Sequence, residues 1–300
     1  MSRDNLESIE LRRLAPPRTL RACAVTKRAP IIAALAACSL ALLGFAAPAS
    51  ATYPGRNGVI AWVTRGGIKT VRPDGTNAKL LIPGHFANPS WSPDGRLLAY
   101  SARRGIRVAR ANGTHRRWVV HEDTQNEVGG PAFSPSGRRI AYSEFRDQRA
   151  ARLVSVRLDG THMRTIAGDG GSAVYSPDGR WIAFLRGGYS KGNVSVARPD
   201  GSDRHRLKGV QADSVDWSPT GDRLVLGSEF TGITTINPDG SGQRTIVPGD
   251  RKSPVWASWS PDGRSIAGSL RPGLTTISLA TGQQRFVHGA TGPVAWQPRP

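Results

Sequence analysis

The stretch WSPDGRLLAYS, residues 91–101, recurs four more times along the chain. The other copies are FSPSGRRIAYS (133–143), YSPDGRWIAF (175–184), WSPTGDRLVLGS (217–228) and WSPDGRSIAGS (259–269). Their prolines follow one another at intervals of 42 residues: Pro93, Pro135, Pro177, Pro219 and Pro261. A repeat of this length indicates an architecture in which each copy is one supersecondary unit.

Each copy predicts a tight turn followed by a buried strand. Proline presets φ for the turn, aspartate bonds nearby backbone, and glycine adopts the conformation needed on leaving. The following residues, such as LLAY (97–100), are apolar and typical of a strand covered on both faces. Ser136 and Thr220 replace the aspartate in two copies, so a carboxylate is not required there. We therefore interpret the turn residues as structural: Pro93, Asp94, Gly95, Pro177, Asp178, Gly179, Pro261, Asp262 and Gly263.

A second turn follows in every unit. Stretches such as GIKTVRPDGTNAKLL (67–81) and RLVSVRLDGTHMRTI (152–166) place two strand-like runs around an Asp-Gly or Asn-Gly turn, which is a strong hairpin signal. Each unit thus offers four strands. Four antiparallel strands in roughly 40 to 45 residues are typical of a propeller blade.

The two ends of the repeat region complement each other. GVIAWV (58–63) matches the strand after the SPDG turn, and PVAWQP (293–298) matches the aromatic strand before it. If these strands pair, the ring closes without a free sheet edge. Five complete units and this composite predict an all-β, six-bladed β-propeller of four-stranded antiparallel blades, closed by pairing the C-terminal strand with the first blade.

The first 51 residues predict a signal peptide. A basic segment ending at Arg28 precedes an apolar run and the small-x-small sequence Ala49-Ser50-Ala51, so cleavage after Ala51 would leave residues 52–300 as the propeller. Residues 35–38, LAAC, also fit a bacterial lipobox that would lipidate Cys38, and the apolar run is long enough for an uncleaved membrane anchor. Every alternative predicts an extracytoplasmic protein: secreted, periplasmic or at the cell surface. Both cysteines, Cys23 and Cys38, precede residue 52, so the repeats contain no disulfide.

The chain is strongly basic, with a formal charge of +19. Residues 52–300 contain 34 Lys and Arg against 19 Asp and Glu, a formal charge of +15. Such a charge favours anionic surfaces, and export excludes nucleic acid as the expected partner. The alternative is that arginine recurs only because the repeat does, as at Arg96, Arg138, Arg180 and Arg264.

Most candidate binding residues come from the loops that exceed the repeat, residues 121–129, 143–151 and 186–193, and Arg251 and Trp256 are expected to border the same face. Long loops on a regular scaffold often carry function. The acidic residues stand out in a basic chain and would attract a cation or a basic partner, although loop charges are commonly only solvated. The predicted interaction surface consists of Glu122, Asp123, Glu127, Glu144, Arg146, Tyr189, Lys191, Arg251 and Trp256.

The sequence contains none of the common catalytic or metal-binding motifs: G-x-S-x-G, HExxH, CxxC or an EF-hand loop. His115 and His121 have no third ligand with a suitable spacing. We predict no catalytic residue, no metal and no cofactor. The alternative is a propeller-type lyase or glycan-active enzyme with a site at the channel mouth, for which Tyr189, His85 and His121 are the available polar groups.

The WSPDGRxIAF and PDG repeats resemble those of the TolB-type propellers over residues 52–300. The resemblance implies a six-bladed binding scaffold outside the cytoplasm, without the additional amino-terminal α/β domain of TolB. The expected function is therefore that of an exported, monomeric, non-enzymatic binding protein that engages a protein or an anionic envelope polymer through one face. Membrane contact would arise only through an uncleaved or lipidated N-terminus.

Overall fold

A computed structural model describes residues 52–122, 126–146, 151–187, 192–289 and 292–300 of the protein. The predicted signal peptide and lipobox lie outside this part. The described secondary structure consists of 24 strands. They are β1 (Arg56–Thr64), β2 (Gly67–Val71), β3 (Lys79–Pro83), β4 (Phe86–Trp91), β5 (Leu97–Ala102), β6 (Gly105–Arg110), β7 (Arg117–His121), β8 (Asn126–Phe133), β9 (Arg139–Arg146), β10 (Arg152–Arg157), β11 (Arg164–Ala167), β12 (Gly171–Tyr175), β13 (Ile182–Arg186), β14 (Gly192–Ala197), β15 (His205–Ala212), β16 (Ser214–Trp217), β17 (Leu224–Ser228), β18 (Gly232–Ile236), β19 (Arg244–Val247), β20 (Trp256–Trp259), β21 (Ser265–Leu270), β22 (Gly273–Ser278), β23 (Gln284–His288) and β24 (Val294–Arg299).

The strands form six antiparallel sheets of four, one per blade. Blade 1 has the order β24-β1-β2-β3, and blades 2 to 6 take β4–β7, β8–β11, β12–β15, β16–β19 and β20–β23 in chain order from the inner to the outer strand. The predicted six-bladed, all-β propeller is therefore confirmed. No helix in the described ranges is long and apolar enough to cross a membrane.

The ring closes as predicted, through β24 and β1. Ile60 lies opposite Trp296, Ala61 opposite Ala295 and Trp62 opposite Val294. Gln297 replaces the serine of the other turns. Its Oε1 accepts the Val59 amide at 3.3 Å, as Ser92 Oγ accepts the Leu97 amide at 2.9 Å in the next blade. The amide of Gln297 also donates to the carbonyl of Gly95 at 2.7 Å, which ties the closing blade to blade 2.

The SPDG turns use their polar side chains internally. Ser92 Oγ donates to Asp94 at 2.6 Å, and the Arg96 amide donates to the same carboxylate at 3.1 Å. The turns of Asp178 and Asp262 repeat this pattern. Each turn also packs on the previous one: a Cβ added to Gly179 would lie 3.3 Å from Pro135. The aspartates are thus occupied in fixing the turns.

The core lies between adjacent blades, where the aromatic residue before each SPDG turn is buried. Trp91 and Trp217 are at most 1 % exposed. Each indole donates to the inner strand of the preceding blade: Trp91 to the Ala295 carbonyl at 3.3 Å and Trp217 to the Val174 carbonyl at 3.1 Å. Burial of side chains of this size stabilises the fold by roughly 1.5–3 kcal/mol each or more. The aromatic position therefore joins neighbouring blades.

The long segments 121–129 and 143–151, which the sequence alone predicts to be loops, are partly β-strand. β8 begins at Asn126 and β9 continues to Arg146, so both strands extend into the segments interpreted as loops. Antiparallel pairing drives this extension, because it satisfies backbone groups that a loop would expose to water. Asn126 lies opposite Arg146, and Glu127 opposite Phe145.

Candidate functional site

The ring has two distinct faces. The turn face carries the SPDG turns and the second turn of each blade, between its third and fourth strands. The loop face carries the blade-to-blade connections and the loops between the second and third strands, such as residues 103–104. This assignment follows from the alternating strand directions of an antiparallel blade.

Thr52 and Tyr53 fill the channel at the turn face. Thr52 contacts the inner strands of blades 5 and 6, through Asp216 and Trp259. Tyr53 reaches across the ring, where its hydroxyl donates to the Phe133 carbonyl of blade 3 at 2.5 Å. Both residues are at most 3 % exposed. Burial raises the pKa of Tyr53 well above its usual value, so its phenol stays neutral. These two buried residues therefore occupy the turn-face end of the channel.

Asp216 is the acidic residue among the six equivalent positions of the inner strands at this level. It precedes the aromatic residue of β16, where the other copies have Ser90, Ala132, Val174, Ser258 and Ala295. Its carboxylate is 1 % exposed and accepts the Thr52 amide at 3.0 Å, the Thr52 hydroxyl at 2.7 Å and the Trp259 amide at 2.9 Å. Burial raises its pKa to about 7, although the hydrogen bonds from Thr52 and Trp259 act in the opposite direction. Comparison of the repeat copies at this one position would have found it.

The acidic residues predicted for the loop face divide into two kinds. Glu122 is half-buried and accepts the Val128 amide at 3.1 Å, and burial raises its pKa. Glu127, in contrast, is exposed. Glu144 is buried in β9 opposite Arg152 of β10, and the two form an ion pair with Arg152 Nε 2.9 Å from Glu144 Oε2. Of these three carboxylates, Glu127 is the one presented to solvent.

Of the remaining predicted residues, Arg251 and Trp256 do not join that group. Arg251 is exposed and lies between blades 5 and 6, where its amide donates to the Glu229 carbonyl at 2.9 Å. Trp256 is 7 % exposed and packs in the core cluster of Trp62. These residues lie three blades away from Glu122 and Glu127. Asp123, Tyr189, Lys191 and the side chain of Arg146 lie outside the described residues. No group of three or more potential metal ligands occurs where the structure describes the chain.

Sequence reasoning missed a ring of basic residues on the outer strands, which we call the basic belt. Its members are exposed and pair with the third strand of their blade at the same register. Five of them are the first residue of the outer strand and Arg285 is the second: Lys79, Arg117, Arg164, His205, Arg244 and Arg285. Alignment of the repeats on their second turn would have shown the recurrence. The belt places a cation or a histidine on the edge of every blade.

Six four-stranded blades surround a channel whose turn-face mouth is filled by Thr52 and Tyr53. This architecture, with basic residues on the outer edges of the blades, defines a propeller scaffold. The family model of the TolB beta propeller domain matches residues 62–298, and the chain belongs to this family. The sequence has no match among curated proteins.

Solved structures with the same fold are distant in sequence. TolB from Acinetobacter baumannii is 19% identical with a TM-score of 0.67, covering 81% of this chain and 67% of its own. A chain of a nidogen/laminin complex is 12% identical with a TM-score of 0.67, covering 80% and 98%. An oligogalacturonate lyase in complex with manganese is 18% identical with a TM-score of 0.54, covering 82% and 78%. These similarities establish the fold alone.

Proposed function

We propose that this propeller is an exported, non-enzymatic binding protein whose ligand is an anionic polymer of the cell envelope. The observation that carries the proposal is the basic belt, which repeats one exposed position as Lys or Arg on five blades and as histidine on the sixth. Residues 52–300 as a whole carry a formal charge of +15, which also favours an anionic ligand. A polyanion that contacts several blades at once gains affinity from each of them.

Charge on edge strands also has a structural use, because it prevents edge-to-edge association of sheets. The two roles differ in what they demand. Edge protection requires a charge of either sign, whereas polyanion binding requires a positive one. Reversal of the charge on the belt therefore separates them.

We expect the combined variant Lys79→Glu, Arg164→Glu, Arg244→Glu and Arg285→Glu to remain folded but to bind acidic polysaccharide roughly 1,000-fold more weakly. Each basic residue near an anionic surface contributes about 1 kcal/mol, and a factor of ten in affinity corresponds to about 1.4 kcal/mol. Retention on immobilised polygalacturonate at low ionic strength measures the effect, and added salt should weaken binding by the unaltered protein.

The matched control reverses four exposed basic residues of the loop face, Arg65, Arg103, Arg104 and Lys252, and so changes the net charge by the same amount. It should retain most of the binding. Equal losses in the two variants would show that net charge alone acts, and unchanged binding by the belt variant would contradict the proposal.

The same polysaccharide tests the enzymatic alternative. A lyase at the channel mouth would cleave the polymer and release unsaturated products, with or without added manganese. The proposal expects bound, intact polymer under both conditions. Appearance of cleavage products would replace the binding function with the catalytic one.

We further propose that the loop face contacts a protein partner, because the chain itself fills the turn-face mouth of the channel. Glu127 and Arg251 are its exposed candidate contact residues. We expect Glu127→Ala with Arg251→Ala to reduce partner recovery about 5- to 30-fold in affinity isolation from the native envelope under cross-linking. Arg138→Ala on the turn face is the control. Recovery that is unaffected by the loop-face changes would remove this face from consideration.

A further inference from the structure

Thr52 reaches the channel axis, where its backbone nitrogen lies against a carboxylate. The backbone nitrogen of Thr52 lies 3.0 Å from Oδ1 of Asp216, and the Thr52 hydroxyl lies 2.7 Å from Oδ2. Both residues are 1 % exposed. In the uncut chain this nitrogen is a neutral amide, which supplies one hydrogen bond and no charge.

A buried carboxylate surrounded by neutral donors is costly to ionise. Its donors are Thr52, the Trp259 amide and Ser258, and none of them carries a charge. A cation at one of these positions would offset the cost of burial. The Thr52 nitrogen is the donor that becomes cationic when the chain is cut before it.

A separate observation points to the same bond. Ala49-Ser50-Ala51 is a small-x-small sequence after an apolar run, and Thr52 is the residue that follows it. The predicted cleavage site depends only on the residues that precede the bond. The contact with Asp216 depends only on the fold of the residues that follow it, so the two observations are independent.

We propose that Asp216 is the binding site for the α-ammonium group of Thr52, which forms when the bond between Ala51 and Thr52 is hydrolysed, and that this ion pair holds Thr52 and Tyr53 in the channel. The inference rests on the export proposed above and is independent of polymer binding. A signal peptidase-type protease adds water across the bond: the hydroxyl joins the Ala51 carbonyl carbon, and a proton joins the Thr52 nitrogen. The amine then takes a second proton from solvent at neutral pH.

The uncut and cut chains should respond oppositely to pH. In the uncut chain the folded pKa of Asp216, about 7, exceeds its unfolded value near 3.8, so the folded state holds a proton that the unfolded state has lost. Its stability therefore falls as pH rises from about 4 to about 7. In the cut chain the ammonium lowers the pKa of Asp216, so the contribution of the ion pair to stability increases as pH rises through the acid range. This contribution is lost at alkaline pH, where the amine deprotonates.

Other titratable groups near this end of the channel do not produce such a change at neutral pH. Tyr53 lies beside Asp216, Tyr175 lies on the neighbouring β12, and Arg139 interacts with Tyr175. Burial raises the pKa of both tyrosines, and the Arg139 guanidinium stays charged although burial lowers its pKa. These groups keep one protonation state over the window from pH 4 to 7.

The test compares the full chain made by export with the same chain retained in the cytoplasm. Intact mass of the exported protein should show Thr52 as its first residue. Asp216→Asn should lower Tm at pH 7 by about 10 °C in the exported form, as expected for a broken buried pair, and should leave Tm unchanged or higher in the retained form. Asp213→Asn removes another buried carboxylate, which accepts the Glu229 amide, and should act equally in both forms.

A mature protein that begins at any other residue, including a lipidated Cys38, would overturn the inference while leaving export and polymer binding intact. Equal effects of Asp216→Asn in the two forms would overturn it as well. Retention on polygalacturonate, measured on the same samples, reports separately on the proposed function.

Discussion

Removal of residues 293–300 is expected to abolish stable folding. The deletion takes away β24, so β1 loses its inner partner and blade 1 loses the strand that faces the channel. Trp296, 3 % exposed, and Val294, 1 % exposed, leave the core cluster that also contains Ile60 and Trp62. Loss of one large buried aromatic costs about 3–5 kcal/mol, and domains of this kind are stable by only about 5–15 kcal/mol.

Far-UV circular dichroism during heating, together with size-exclusion chromatography, measures the outcome. The truncated chain should lack a cooperative transition or should aggregate through the exposed edge of β1. A chain shortened only by Pro300 is the control, because it loses the bond from Arg56 to the Pro300 carbonyl and keeps Trp296. A cooperative transition at the original temperature in the longer truncation would show that the ring does not need its closing strand.

The variant Gly105→Ala is expected to destabilise the protein by at least about 3 kcal/mol. Gly105 begins β6 with a φ of 135°, a conformation that side chains rarely adopt. A Cβ at this position would lie 2.0 Å from the Val120 carbonyl oxygen of the paired strand β7. Relief of this overlap requires the two strands to separate, which breaks hydrogen bonds between them.

Gly282→Ala is the matched control, because Gly282 also has a positive φ, 70°, but no heavy atom lies within 4 Å of its added Cβ. Gly282→Ala should lower the free energy of unfolding by only about 1 kcal/mol, which is the cost of placing alanine at a positive φ without any steric overlap. Denaturant unfolding of both variants gives the comparison. Equal losses would show that the overlap with Val120 is relieved without cost.

Much of the fold could be predicted from the sequence, because the repeat encodes it locally. The turn residues recur at a fixed interval, so the number of blades follows from counting them, and the two incomplete ends predict the closure of β24 on β1. The sequence did not predict a local irregularity in blades 2 to 4. There Asn88, Gly130 and Ser172 adopt positive φ at equivalent positions and the inner strand shifts register. Three different residue types adopt this conformation, so no single residue type in the sequence predicts it.

The candidate site was less accessible to sequence reasoning, as Glu144 and Trp256 illustrate. Both were grouped with exposed loop residues, Glu144 because it lies in the long segment 143–151 and Trp256 because it was expected to border the same face. Pairing register instead places Glu144 opposite Arg152, and packing between blades places Trp256 beside Trp62. Exposure depends on which strand lies opposite a residue, and that information is not local.

The sequence by itself determined the blade, its number of copies and the strand that closes the ring, because each depends on short-range turn chemistry and a fixed period. Only the tertiary structure decided that Thr52 meets Asp216, 164 residues further along the chain. Six inner strands converge on one axis, so a short segment entering there contacts residues from blades far apart in sequence. The same convergence excludes water, and this exclusion raises the pKa of the Asp216 carboxyl and favours a cationic partner for it.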